Sequence, residues 1–182
     1  MKLVIDASNI VSGGGLTHLK EFINHANPSE FDFKKIELWA SENTLNQISD
    51  KSWLEKRSHY LLNGGYIYRF IWKNTILKRT LNRNSVLFIP GTGYLKTKAK
   101  VITMCRNLLP IDTKETDRFW PSTKWVRYKF LRHLHFKAYA KADGTVFLNC
   151  YSHEALPGYL KNKIENYAVI PHGLSQRFKN NS

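Results

Sequence analysis

Three consecutive glycines, Gly13, Gly14 and Gly15, separate an apolar segment from an amphipathic one near the start of the chain. Residues without a β-carbon let the backbone turn tightly, and they let a ligand approach the amide groups closely. The start of the helix that follows supplies free N–H groups and a partial positive charge. The pattern indicates either a phosphate or diphosphate site or a flexible turn that binds nothing.

A dinucleotide cofactor does not fit this loop. The sequence is not G-x-G-x-x-G, and the predicted second strand ends in Leu38-Trp39-Ala40 without an acidic residue. A metal site is not indicated either, because the chain has no Asp-x-Asp pair. The carboxylates that come closest to such a pair in the sequence, Asp112, Glu115 and Asp117, lie in a predicted loop. We therefore expect neither a bound cofactor nor a metal ion.

Short apolar segments alternate with helical patterns along the whole chain. We predict strands over 2–7, 35–40, 59–62, 85–90, 100–105, 144–149 and 167–171. We predict helices over 16–26, 42–49, 65–81, 125–142 and 151–160. Strands that are apolar along their length and separated by helices predict a parallel sheet covered on both faces. We expect one Rossmann-like, doubly wound α/β domain of about seven strands over residues 1–178, followed by a polar tail over 179–182.

The chain is strongly basic, with 28 Lys and Arg against 14 Asp and Glu and a net charge of +14. Such an excess indicates a polyanionic partner, which would be nucleic acid, anionic lipid or a phosphorylated substrate. Zinc-ligand spacing, an RNP-type aromatic motif and heptads behind a basic region are all missing, so we do not expect nucleic acid.

The sequence also predicts where the protein works. It has no apolar run long enough to span a bilayer, and Asp6 interrupts the N-terminus where a signal peptide would be apolar. Cys105 and Cys150 lie in apolar segments and are expected to be buried thiols in a reducing compartment. We expect a cytoplasmic protein.

Three further segments carry a resemblance to a known family. They are VITMCRNLLPID (101–112), FLRHLHFKAYAKADGTVFLNCYSHEAL (130–156) and YAVIPHGLSQRF (167–178). In this order behind the glycine run, they resemble the N-terminal half of a retaining glycosyltransferase of the glycogen-synthase-like type, which has two Rossmann domains in the GT-B architecture. The resemblance is densest to bacterial polysaccharide and lipopolysaccharide transferases and covers nearly the whole chain.

The resemblance implies an activity. In that family the first domain mostly holds the acceptor and the second, absent from this sequence, holds the nucleotide sugar. Gly13, Gly14 and Gly15 would reach the donor diphosphate. The chain would be the acceptor-binding half of a hexosyltransferase that acts on a glycan or lipid-linked acceptor, and it would be inactive alone. The alternatives are a truncated, non-catalytic sugar- or lipid-binding paralogue and a basic nucleic-acid-binding module.

Arg106 and Asn107 stand where the family commonly has a His-Asp or His-Glu pair, and they match an Arg-Asn-x-x-Pro subgroup. By resemblance they are the candidate catalytic residues, with Arg106 holding an acceptor hydroxyl or phosphate and Asn107 holding the sugar. Neither side chain is a general base near neutral pH, so the leaving phosphate would take the proton. The alternative is that Arg106 only braces its loop.

The resemblance also suggests residues for the acceptor and for the hinge to the second domain. The acceptor contacts would be Thr17, His18, Gly91, Thr92, Arg106 and Asn107. The interdomain hinge would be Pro171, His172 and Gly173.

Two segments, 66–84 and 118–141, interleave aromatic and basic residues. Such a helix either lies on anionic lipid beside a lipid-linked acceptor or covers the sheet with its lysines in water. The first segment fits both alternatives equally, and the second fits the sheet-covering role better. From these segments and the net charge we expect peripheral attachment to the inner face of the plasma membrane.

Overall fold

A seven-stranded, all-parallel sheet forms the centre of the protein in the computed structural model, which describes residues 1–33, 35–171 and 173. The strands are β1 (Lys2–Asp6), β2 (Ile36–Trp39), β3 (Leu54–Arg57), β4 (Ser85–Ile89), β5 (Lys100–Cys105), β6 (Gly144–Phe147) and β7 (Tyr167–Val169). Their order is β3-β2-β1-β4-β5-β6-β7. The predicted α/β, doubly wound sheet of about seven strands is confirmed.

The connections between strands are mostly helical. The α-helices are α1 (Gly13–His25), α2 (Glu42–Leu45), α3 (Tyr66–Trp72), α4 (Lys78–Thr80), α5 (Thr113–Asp117), α6 (Thr123–Tyr139), α7 (Cys150–Glu154) and α8 (Gly158–Lys161). A π-helical segment, Lys73–Leu77, joins α3 to α4 in one continuous helical run. Two 3-10 turns cover Pro28–Phe31 and Tyr60–Asn63.

The sheet reverses its winding direction between β1 and β4. Ile5 of β1 pairs with Leu38 of β2 on one side and with Phe88 of β4 on the other. The chain moves outward from β1 through β2 to β3, then crosses back to β4 and continues to β7 in the opposite direction. At such a reversal the loops that follow the two strands, here β1 and β4, diverge at the carboxyl edge of the sheet, which is where open α/β sheets bind their ligands.

Three hydrophobic clusters hold the helices to the sheet. Leu19 and Ile23 of α1 are buried against one face. Trp72 and Leu77, from the helical run that starts with α3, are buried against the other face. The third cluster forms around Tyr139 at the end of α6. Because fully buried large side chains fix each helix in place, the loops between helices and strands start from rigid positions.

The predicted strand at 59–62 is wrong. Tyr60–Asn63 forms a 3-10 turn, and the strand is Leu54–Arg57 instead. This strand is the edge of the sheet, and Glu55, Lys56 and Arg57 make it polar, so it lacked the apolar signal. Charged residues are common on edge strands because they discourage pairing with other chains.

Other expectations need smaller corrections. The helix predicted at 16–26 begins at Gly13, so the glycine run is the first turn of α1 rather than a loop before it. The helix predicted at 42–49 covers only Glu42–Leu45. The helix predicted at 151–160 is two short helices, because Pro157 interrupts it and occupies the N-cap of α8.

The helices predicted at 65–81 and 125–142 are observed with small shifts at their ends. Ser122 begins α6 by accepting a hydrogen bond from the Trp125 amide at 3.3 Å. Of the two cysteines, Cys105 is buried as expected, but Cys150 is exposed because it starts α7 at the surface. The predicted tail, 179–182, lies outside the described residues.

Candidate anion-binding site

The candidate site lies at the carboxyl edge of the sheet, beside the point where the strand order reverses. The start of α1 follows β1, the loop 90–93 follows β4, and Arg106 follows β5 directly. Because all three strands are parallel, their carboxyl ends meet at this edge. The fold therefore brings together segments that are far apart in the sequence.

The first turn of α1 is open to a ligand. Gly13 adopts a left-handed conformation with φ +67°, which a residue with a β-carbon rarely adopts. Gly13 and Gly14 are exposed, and a β-carbon on either would meet no atom within 4 Å. Ser12, the N-cap residue, makes no side-chain hydrogen bond to the turn, and no acidic residue lies in it. The amides of this turn therefore keep their capacity to bind an anion.

Arg106 packs its guanidinium directly against this turn. A β-carbon on Gly15 would stand 2.5 Å from Nη2 and 3.1 Å from Nη1 of Arg106, closer than non-bonded atoms approach. Nη1 also donates a hydrogen bond to the carbonyl oxygen of Pro90 at 2.9 Å. A side chain at position 15 would therefore displace the Arg106 guanidinium, which the Pro90 carbonyl holds against the turn.

The charge of Arg106 has no partner of opposite sign. No Asp or Glu forms an ion pair with it in the part of the chain that the structure describes. Burial lowers the pKa of Arg106, but a guanidinium still carries its charge at neutral pH. A half-buried cation beside the amides of a helix start favours a phosphate or carboxylate ligand.

A neutral ion pair lies nearby at the end of β1. Lys73 Nζ is 2.8 Å from Asp6 Oδ2; the side chain of Asp6 is buried and that of Lys73 is mostly buried. Burial opposes ionisation of Asp6, but Lys73 and a 3.1 Å hydrogen bond from the Ser8 amide outweigh it, so the pKa of Asp6 is lowered. Since the two charges cancel, this pair adds no net charge to the site, and Arg106 keeps the charge that no described carboxylate pairs with.

The loop after β4 is braced against its neighbours. The Thr103 hydroxyl donates to the Gly91 carbonyl at 3.1 Å and accepts from the Gly93 amide at 3.1 Å. The hydroxyls of Thr92 and Tyr139 are 3.0 Å apart. Burial raises the pKa of Tyr139 well above its usual value, so its hydroxyl stays protonated. These bonds hold the segment that carries Pro90, and hence the arginine that Pro90 fixes.

The structure brings together part of the residue set suggested by the sequence. Gly15 and Arg106 are in contact, and Gly91 adjoins the Pro90 carbonyl that Arg106 binds. Thr92 lies in the same loop, with its hydroxyl engaged by Tyr139. Gly91 and Thr92 both form hydrogen bonds that brace this loop. Their contact with an acceptor stays a prediction.

The other predicted residues lie around this centre. Thr17 and His18 are half-buried on the second turn of α1. Asn107 is exposed, and its side-chain oxygen accepts from the Leu109 amide at 3.1 Å, which shapes the loop after β5. Pro171 and Gly173 are exposed beyond β7, and His172 of the predicted hinge lies outside the described residues.

Sequence reasoning missed two features of the site. It did not identify the Asp6–Lys73 pair, although an aspartate at the end of an apolar strand is a visible signal of a polar partner at that edge. It also did not predict the contact between Gly15 and Arg106, which are 91 positions apart in the sequence and are brought together only by the order of the parallel strands.

Other sites are less suited to chemistry. Two surface concavities, of about 280 and 500 Å³, lie away from the Arg106 edge, and the first is lined by Pro28 and Trp53 near the amino ends of the strands. Within residues 1–33, 35–171 and 173, no group of three or more His, Cys, Asp or Glu could hold a metal ion. None of the described helices has the length and apolar character that crossing a bilayer requires.

Comparison of the chain with protein-family models, with curated proteins and with solved structures finds no match in any of the three.

Proposed function

We propose that this chain is the acceptor-side half of a retaining glycosyltransferase, which moves a sugar from a nucleotide-sugar donor to a glycan or lipid-linked acceptor in bacterial surface polysaccharide synthesis. One observation carries the proposal: the Arg106 guanidinium, free of any carboxylate among the described residues, lies against Gly15 in the open first turn of α1. This arrangement favours a diphosphate, which is the leaving group of a nucleotide sugar.

The chemistry follows from the charge that develops on the diphosphate. As the bond between the anomeric carbon and the phosphate oxygen breaks, negative charge grows on that oxygen, and the acceptor oxygen forms the new bond to the same carbon. The acceptor proton moves to the departing phosphate, so the step needs no side-chain base. Arg106 and the amides of Gly13, Gly14 and Gly15 stabilise the growing charge because they are fixed in place before the reaction.

A second domain completes the site in this proposal. The first turn of α1 and Arg106 contact the diphosphate from one side, and a nucleotide-binding domain holds the rest of the donor from the other. Thr17, His18 and Asn107 surround the same edge and are the candidate contacts for the acceptor. No metal is needed in this scheme, since the arginine and the helix start neutralise the phosphate charge.

We place the reaction at the inner face of the plasma membrane, with the protein attached peripherally. The net charge of +14 supports this location because the cytoplasmic leaflet is anionic. The same location supplies lipid-linked acceptors, which are carried in the membrane and not in bulk water.

The test is a pair of chromosomal substitutions in the source cell. Arg106→Gln removes the unpaired cation, and Arg127→Gln removes an exposed cation from α6 as a matched control. We expect Arg106→Gln to abolish the same surface glycan that gene deletion abolishes, with the lipid-linked acceptor accumulating, whereas Arg127→Gln leaves the glycan intact. The proposal is wrong if gene deletion leaves surface glycans and lipid-linked intermediates unchanged, and a deletion phenotype that Arg106→Gln fails to reproduce favours the non-catalytic binding role.

A further inference from the structure

Helix α3 exposes five large apolar side chains within two turns. The exposed fractions are 65% for Tyr66, 71% for Ile67, 55% for Tyr68, 57% for Phe70 and 45% for Ile71. We refer to these five residues as the apolar turns. A contiguous apolar surface of this kind is uncommon on a monomeric protein, and it marks a surface that another phase or molecule covers.

The orientation of the helix is fixed, so these side chains do not belong to the core. Trp72 and Leu77 of the same helical run are completely buried against the sheet, and the Trp72 ring lies 5.4 Å from that of Trp39. Lys73 reaches inward to Asp6. Because the inward side of the run is anchored at three places, the apolar turns must face outward.

The apolar turns lie at the same edge of the sheet as Arg106. Strand β3 ends at Arg57, the turn Tyr60–Asn63 follows, and α3 begins at Tyr66 before the run returns toward the start of β4. The Lys73–Asp6 contact fixes this position, since Asp6 is the last residue of β1. The apolar turns and the candidate anion-binding site therefore share the carboxyl edge of the sheet.

The segment that carries the apolar turns is basic. Residues 56–111 contain eleven Lys and Arg and no Asp or Glu, and four of these cations, Lys56, Arg57, Lys73 and Lys100, pair with carboxylates from outside the segment. Lys78 and Arg79 are exposed on the same helical run, and exposed Arg83 follows it. The exposed side of the helical run therefore combines apolar side chains in its first two turns with cations at its carboxyl end, and it is complementary to an anionic surface that has a hydrocarbon interior.

We propose that the apolar turns insert into the interface of an anionic lipid bilayer, with Lys78, Arg79 and Arg83 on the lipid headgroups. Ile67, the most exposed of the five side chains, and Ile71 are aliphatic and offer no ring for a nucleic-acid base to stack on. In a bilayer these side chains contact the hydrocarbon interior, and the cations contact the phosphate groups of the lipids. This proposal stands on the surface of α3 and does not depend on the transferase proposal.

The test measures binding to vesicles by co-sedimentation. Vesicles of equal parts phosphatidylglycerol and phosphatidylcholine are compared with pure phosphatidylcholine, in low and high salt. We expect binding to the anionic vesicles only, weakened by salt. The double substitution Ile67→Ser with Ile71→Ser should weaken binding by at least about tenfold, since each buried methylene contributes to insertion. Phe31→Ser, which removes an apolar side chain that is 67% exposed outside α3, is the matched control and should bind like the unchanged protein.

A second readout reports insertion directly. Ile67→Cys in a Cys150→Ser background carries an environment-sensitive fluorophore, since Cys105 is buried and not accessible to labelling. We expect a blue shift on anionic vesicles for this label and none for a label at Phe31→Cys. Absence of binding to anionic vesicles at low salt overturns the proposal, as does equal binding by the Ile67/Ile71 variant. Two other outcomes also overturn the proposal. In one, the protein is a dimer that does not bind vesicles and the Ile67/Ile71 variant is a monomer. In the other, the protein binds DNA in high salt and does not bind vesicles.

Discussion

The guanidinium of Arg106 occupies the volume that a side chain at Gly15 would need, with Nη2 only 2.5 Å from the position of the missing β-carbon. The residues come from the loops after β5 and β1, and the Pro90 carbonyl after β4 binds the same guanidinium. Three loops at one edge of the sheet therefore converge on a single cation. Its location beside an uncapped helix start makes this edge a candidate site for anions.

Gly15→Ala should damage anion binding more than stability. The new β-carbon forces the guanidinium away from the turn and breaks its hydrogen bond to Pro90. Alanine favours the helical conformation by about 1 kcal/mol over glycine, which offsets part of that loss. We expect the pyrophosphate affinity, measured by isothermal titration calorimetry, to fall about tenfold while the melting temperature changes by only a few degrees.

The control for this substitution is Gly158→Ala. Gly158 also begins a helix, α8, and a β-carbon there meets no atom within 4 Å. Its replacement should leave pyrophosphate affinity unchanged. Equal affinity in the Gly15→Ala protein and the unchanged protein contradicts the role assigned to Arg106.

Lys73→Met should destabilise the protein strongly. It leaves the carboxylate of Asp6 buried with no cation to pair with, and an isolated buried charge of this kind costs about 3–5 kcal/mol. Urea denaturation followed by circular dichroism measures the free energy of unfolding. A loss below about 1 kcal/mol means that the pair is not what stabilises the end of β1.

The double variant Asp6→Asn with Lys73→Met separates charge from packing. Asparagine keeps a side-chain oxygen for the Ser8 amide, which lies 3.1 Å from Asp6 Oδ1, and it removes the buried charge. We expect this variant to recover most of the stability that Lys73→Met loses. If it is no more stable than the single variant, the loss comes from the packing of Lys73 itself.

His135 should make stability fall in mild acid. Burial lowers its pKa from 6.5 to about 4. In the unfolded chain the pKa returns to its ordinary value, so the unfolded state binds more protons between about pH 6.5 and 4. The free energy of unfolding therefore decreases as pH falls through this window, by about 3 kcal/mol in total. The contribution of Asp6, whose pKa is lowered, is lost at lower pH.

Two substitutions on α6 check this pH dependence. His135→Phe removes the titrating group from the core, and its stability curve should be flatter between pH 6.5 and 4 than that of the unchanged protein. His133→Gln replaces an exposed histidine on the same helix and should leave the curve unchanged. Parallel curves for all three proteins would show that His135 is not the group responsible.

Most of the fold is predictable because its inner strands are mainly apolar. β1, β4 and β5 carry apolar side chains on both faces and stand out from the helices around them. β3 is not predictable in this way, because it is an edge strand whose charged side chains, such as Glu55 and Lys56, leave it without an apolar pattern. Pro157 marks the break between α7 and α8, but the helical spacing of the apolar residues on both sides of it predicts one continuous helix.

The site was predictable only in part, because its contacts join distant segments. The glycine run by itself indicates a phosphate site, and the role of Arg106 is suggested by the resemblance of the sequence around it to a known family. The meeting of Gly15 with Arg106 depends on β1, β4 and β5 being neighbours in one parallel sheet. The Asp6–Lys73 pair likewise depends on where the helical run after β3 crosses the sheet. Neither contact can be predicted from a local sequence pattern.

The most direct measurement is an NMR titration of the isotope-labelled chain with pyrophosphate. We expect saturable shifts at the amides of Gly13, Gly14 and Gly15, an affinity at least about tenfold weaker in Arg106→Gln, and a change of no more than about twofold in the Arg127→Gln control. Absence of saturable shifts at the glycine turn, or equal weakening by the two arginine substitutions, contradicts the claim that this edge is built to bind a diphosphate.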